Sequence, residues 1–172
     1  MASIDRFNSS KLNELEIAER AHKLRLALGT AEKKYVNIIE ILEFRASEFL
    51  PGFRLVVRRD MELSYTAEAS FNPPKITVRE SIYDAACEGD QECRRILAHE
   101  LGHLILHSNI STPMQRSYEG YSQQFPNMSS LESTEDQADI FARNFLIPPY
   151  FAFKYKNDAQ RLANETGAPI NV

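Results

Sequence analysis

Cysteine is scarce in this chain: Cys87 and Cys93 are the two in 172 residues. They do not form a CxxC, and no second pair or histidine stands beside them. That excludes a disulfide framework and argues against a structural zinc knot. Long apolar runs are missing too, and the start MASIDRFNSSKLNELE lacks the apolar stretch of a signal peptide. The expectation is a cytoplasmic protein with no membrane contact. There is no basic excess, since 24 acids outnumber 20 lysines and arginines for a net charge of −4. The pairs Lys33–Lys34, Arg58–Arg59 and Arg94–Arg95 are each diluted by nearby acids. Direct nucleic-acid binding is therefore disfavoured. No repeat, low-complexity tract or linker breaks the chain, which suits a single domain over 1–172.

What is present is a change of period. Residues 1–50 read as a helical segment. A first helix over 11–28 carries Leu12, Leu15, Leu24 and Leu28 at helical spacing and stops at Gly29. A second is expected from a Thr30 cap to Phe49, ended by Pro51–Gly52. Residues 53–61, 63–71 and 75–81 are rich in β-branched and aromatic residues, with Asn72–Pro73–Pro74 as a breaker. They predict a small, antiparallel sheet of about three strands. Asp84 to Asp90 reads as a polar connection. Helices are expected over 92–107, 133–146 and 158–166, with Pro148–Pro149 ending the middle one. Residues 108–132 are polar and long for a loop, which predicts a mobile segment bordering a cleft. The class is α+β, helices packed on a small sheet.

The stretch RRILAHELGHLILHS carries the chemistry. At about 100° per residue, His103 lies roughly 40° from His99 and one turn along, so the two rings share a face. The leucines fall on the other side of the wheel, where a core face is expected. Two merely structural histidines have no reason to gather away from the leucines. HExxH on a helix is a known zinc-peptidase arrangement, with the glutamate as general base. That assigns His99 and His103 as ligands and Glu100 as base. Catalytic zinc wants a third protein ligand. In STEDQADIFARNFL, Glu135 and Asp139 share a helix face bordered by Phe141 and Phe145, predicted to point inward. Glu135 is the candidate third ligand. Asp139 is placed to accept a hydrogen bond from the outer N–H of a ligand histidine. A solvated acidic first turn, favoured by the helix dipole, explains Glu132 and Asp136 well but Asp139 poorly. His107 is too far along the helix, ~12 Å from His99, to share the metal. The oxyanion-stabilising or substrate-contacting group is left among Tyr118, Tyr121, His107 and Arg143.

ILAHELGHLILH followed by EDQADIFARNFLIPP resembles the ImmA/IrrE family of metallopeptidases, over roughly Lys75 to Pro148. The resemblance implies a minimal zincin-like fold of the gluzincin kind. It also implies His99, His103 and Glu135 as zinc ligands, with manganese as the other candidate ion, and Glu100 as catalytic base. It further implies a protein substrate, a helix-turn-helix repressor whose cleavage derepresses phage, mobile-element or stress genes. KITVRE is similar to the family's substrate-side strand, which would pair with substrate along its edge. Asp139 stands where the family often has asparagine. RLANETGAPINV resembles the start of a family tail that continues further, so a shortened C-terminus is expected. The competing reading is a non-catalytic regulator or toxin-like protein that binds a repressor or antitoxin without cutting it. The glutamate between the histidines speaks against that reading, because a purely structural site needs no base.

Overall fold

A computed structural model describes residues 12–108, 114–116 and 133–170. Helix α1 (Glu14–Ala27) opens with a capping box. The Asn13 side chain accepts from the Glu16 N–H, and the Glu16 carboxylate accepts from the Asn13 N–H. Helix α2 (Ile38–Glu40) continues as a π turn (Ile41–Arg45) and a 3₁₀ turn (Ala46–Glu48). It begins at an Asn37 cap and not at Thr30 as expected. The reason is competition for main-chain carbonyls by buried arginines. Those of Thr30 and Lys33 accept from the Arg25 guanidinium, and that of Val36 accepts from Arg94.

Strand β1 (Arg54–Arg58) leads through a 3₁₀ turn (Asp60–Glu62) to β2 (Ala67–Phe71) and β3 (Pro74–Arg79). A tight turn at Asn72–Pro73 folds β3 back against β2. The sheet order is β1-β3-β2-β4, where β4 (Met114–Arg116) lies inside the expected loop. β2 pairs antiparallel with β3 and β4, but β1 runs parallel to β3, with Arg54 opposite Lys75. The α+β class with a small sheet therefore stands, while the expectation of an all-antiparallel sheet is corrected to a mixed one. β3 is paired on both sides, so KITVRE offers no edge to a substrate; the sheet edges among the described residues are β1 and β4. The other residues of the expected 108–132 loop, Ser108 apart, lie outside the described residues.

Helix α3 (Glu80–Cys87) stands where a polar connection was expected. Asp60, far back in the chain, accepts from the Ser81 N–H at 3.1 Å and from its hydroxyl at 2.5 Å. The helix start is thus satisfied by a tertiary partner that no local motif advertises. Helix α4 (Gln91–Leu106) follows, then α5 (Thr134–Leu146), α6 (Pro149–Lys154) and α7 (Ala159–Thr166). Pro149 does not only end α5; it occupies the first turn of α6, where its missing N–H costs nothing.

α4 packs against α5 on one side and β2 on the other, and α1 packs on α5. One core cluster takes Ile17, Ala21 and Leu24 from α1, Ile76 and Val78 from β3, Leu97, Leu101 and Leu104 from α4, and Phe141 and Phe145 from α5. Among the described residues, no helix is long and apolar enough to cross a membrane.

Candidate metal centre

Two capped helices carry the candidate ligands. Asp90 accepts from the Cys93 N–H at 2.8 Å and starts α4. The helical repeat then stacks His99 and His103 with ring centroids 4.7 Å apart. Ser133 accepts from the Asp136 N–H at 3.3 Å and starts α5, so Glu135 lies in the first turn, near the positive end of that helix.

Gly102, inside the histidine motif, lets the helices close. A β-carbon there would meet Phe141 Cδ1 at 3.1 Å and the Ala138 carbonyl oxygen at 3.2 Å. A side chain at this position crowds α5, the helix that carries Glu135. The wheel placed the histidines on a face away from the core; in fact residues 96–104 are buried throughout, and α5 covers the histidine face. The helix is central, with sheet on one side and Glu135 on the other.

His99 Nε2 and His103 Nε2 lie 3.0 Å apart. Glu135 Oε2 is 3.2 Å from His99 Nε2, and its Oε1 is 3.2 Å from His103 Nε2. His99, His103 and Glu135 each offer an atom within 4.8 Å of the others, a group that could hold a metal ion. Electron-rich atoms brought this close repel unless a cation or proton sits among them, and two neutral imidazoles with a carboxylate are the donor set zinc takes. The residues fit a divalent ion.

The electrostatics agree in sign. Burial pushes His103 down, outweighing the pull of Glu135 toward protonation. Burial alone would raise the Glu135 carboxyl, but hydrogen bonds to His103 and His99 hold it well below the ordinary carboxylate range. Both directions keep the lone pairs available to a metal. On the far side of His99, Nδ1 meets Asp139 Oδ1 at 2.7 Å, and Arg95 donates to the same oxygen at 2.9 Å. Arg95 is itself gripped by Glu92, with its Nε 2.8 Å from Oε2. The Asp139 side chain is 47% exposed, so this acid rims the centre and does not point inward as expected, whereas Glu135 faces the two buried histidines.

Glu100 is fully buried beside His99 and His103 on α4. Tyr118 and Tyr121 lie outside the described residues. Arg143 is exposed on α5. His107 is buried, its Nε2 2.9 Å from Gln137 Oε1 and its Nδ1 3.3 Å from His103 Nδ1. Gln137 and Arg95 were missed from sequence. A wheel drawn back one turn from His99 reaches Arg95, whereas Gln137 carries no local signal. Tyr65 and Glu68 were missed as well. Burial pushes the Tyr65 phenol up, the Glu68 carboxylate that accepts its hydrogen bond adds to this, and Glu100 contributes through space.

Residues 54–172 match the peptidase M78 family, described as the IrrE N-terminal-like domain. The chain belongs to this family. No curated protein matches it. The matched span of the M78 domain takes in the whole sheet and both ligand-bearing helices, whereas α1 and α2 precede it while sharing the core.

Proposed function

We propose that this M78 protein is a zinc-dependent endopeptidase, with manganese as the second candidate ion. The observation that carries the reading is the convergence of His99, His103 and Glu135, within 4.8 Å of one another, next to the buried Glu100. His99, His103 and Glu135 would hold a divalent ion, which would supply Lewis acidity to a water and to the scissile carbonyl. Glu100 takes the proton of the attacking water and delivers it to the leaving amine, so the peptide bond is hydrolysed with no other reactant. Asp139, braced by Arg95, holds the His99 proton on Nδ1 and leaves Nε2 for the ion. Tyr65, a phenol that feels Glu100 through space and hydrogen-bonds to Glu68, joins the candidates for the oxyanion donor.

The proposed substrate is a helix-turn-helix repressor, in keeping with the family resemblance, and the proposed setting is cytoplasmic. The test is to incubate the protein, with zinc or manganese, with the helix-turn-helix protein encoded beside it. A discrete cut that disappears in Glu100→Gln is the expected result. Tight binding without a cut, unchanged in Glu100→Gln, would establish the non-catalytic regulator instead.

A further inference from the structure

The two histidines are braced by different chemistry. Behind His99 stands a carboxylate. Behind His103 stands a file of neutral groups: His103 Nδ1 faces His107 Nδ1 at 3.3 Å, and His107 Nε2 faces Gln137 Oε1 at 2.9 Å. All three side chains are shut away from solvent, at 1%, 3% and 0% exposure. Both helices contribute. His107 closes α4, its N–H donating to the His103 carbonyl at 2.9 Å, and Gln137 stands two residues beyond Glu135 on α5.

The direction of this file follows from what each atom can do. An amide oxygen only accepts, so His107 Nε2 must carry a proton and donate to Gln137. A neutral imidazole has one ring proton, so His107 Nδ1 is then a bare acceptor. The facing His103 Nδ1 must therefore be the donor. That leaves His103 Nε2 without a proton, as a lone pair aimed at Glu135 and His99 Nε2.

We propose that His107 and Gln137 are positioning residues that hold His103 in its Nδ1–H tautomer and aim its Nε2 lone pair at the metal position. The inference deepens the metallopeptidase reading and rests on it for the identity of the ligand. Gln137 acts at two removes, through His107. His107 is accordingly a brace and not an oxyanion donor.

The test uses the full chain and two readouts besides activity. Long-range proton–nitrogen NMR of zinc-free protein reports which ring nitrogen of each histidine carries the proton. Chelator competition gives the zinc dissociation constant. Wild type is expected to show Nδ1–H on His103 and Nε2–H on His107. Gln137→Met, close in size but without the amide acceptor, should release His103 to a tautomer mixture and weaken zinc binding by roughly 10–100-fold. Gln137→Glu, which restores an acceptor oxygen, should recover both. Nε2–H on His103 in the wild type would overturn the proposal, and this holds even where Gln137→Met fails to fold. Unchanged tautomers and affinity in a folded Gln137→Met would overturn it too. Failure of the metal reading looks different: wild type and Glu135→Ala would then bind zinc equally poorly, while the tautomers of the zinc-free protein still decide the brace.

Discussion

Arg94 and His99 lie on the same helix and are equally buried, each 1% exposed, yet their surroundings are opposite. Around Arg94 the polar atoms disperse a charge. Its guanidinium donates to the carbonyls of Val36, Thr166 and Gly167, and lies 4.0 Å over the Tyr35 ring. Arg25 does the same at the end of α5, donating to Phe145, Thr30 and Lys33. The carbonyls of Phe145, Thr166 and Gly167 lie at helix C-terminal ends, where they lack an intrahelical partner and the dipole is negative, while those of Thr30, Lys33 and Val36 lie in the turns before α2. Burial pushes Arg25 down only to about 10, so it stays charged at neutral pH. Around His99 and His103 the polar atoms converge. Ring nitrogens of two histidines and a carboxylate face one another, an arrangement that is favourable only with a cation or a proton among them. The contrast separates a clamp from a site. In the clamps the donors are spent on main-chain carbonyls. In the site the acceptors are aimed at one place and held there.

The comparison is sharpened most by Glu100→Gln. It should keep metal and fold while peptide cleavage falls by roughly 10²–10⁴-fold. Glu135→Gln should behave otherwise and lose metal first, since an amide is a poorer zinc ligand than a carboxylate. Metal content and cleavage measured side by side decide it, and a Glu100→Gln protein cutting at the wild-type rate would remove the base from the mechanism.

The clamp predicts the reverse pattern. Arg94→Met should cost about 3 kcal/mol of stability, because buried carbonyls lose their donor. Zinc affinity of the folded protein should stay unchanged. Denaturant melts with zinc titrations test both halves, and a lost metal site in a folded Arg94→Met would blur the division drawn above.

Acid should act on the site and spare the clamps. Burial pushes His107 down to about 4, against an ordinary value of about 6.5 in the unfolded chain. Between those values the unfolded chain binds a proton that the folded chain refuses, so stability is full above about pH 6.5 and is lost as pH falls toward 4. At pH 5 the loss from this residue is roughly 1–2 kcal/mol. His103, also pushed down by burial, adds in the same direction. Melting temperatures of zinc-free protein against pH should show the fall, and His107→Gln should flatten it. A His107→Gln curve parallel to wild type would place the acid sensitivity elsewhere.

The smallest effect is expected at the helix contact. Gly102→Ala must displace Phe141 or the Ala138 carbonyl by a few tenths of an ångström. Overpacking of this kind costs about 1 kcal/mol or somewhat more. Because α5 carries Glu135, zinc affinity should fall along with stability. A melt and a chelator competition on the same sample measure the two together. A stability loss with unchanged affinity would show that Glu135 follows the metal and not the helix.

By itself, the chain determined that His99 and His103 share a face, that Glu135 and Asp139 share another, and that helices run close to the observed spans of α4 and α5. Each of these is a local matter of helical period and hydrogen-bonding side chains close in sequence. Only the folded chain decided the rest, because the partners are remote or are brought together by packing that no local motif records. Arg25 draws the carbonyls of Thr30 and Lys33 away from a helix that Thr30 would otherwise start. Asp60 caps α3 from another part of the molecule. β3 inserts between β1 and β2, which makes one ladder parallel and takes KITVRE off the edge. Gln137 looks like any polar residue on α5 until α4 is laid against it. It was the approach of those two helices over Gly102, set by side-chain volume at their contact, that turned two separate pairs of residues into one centre.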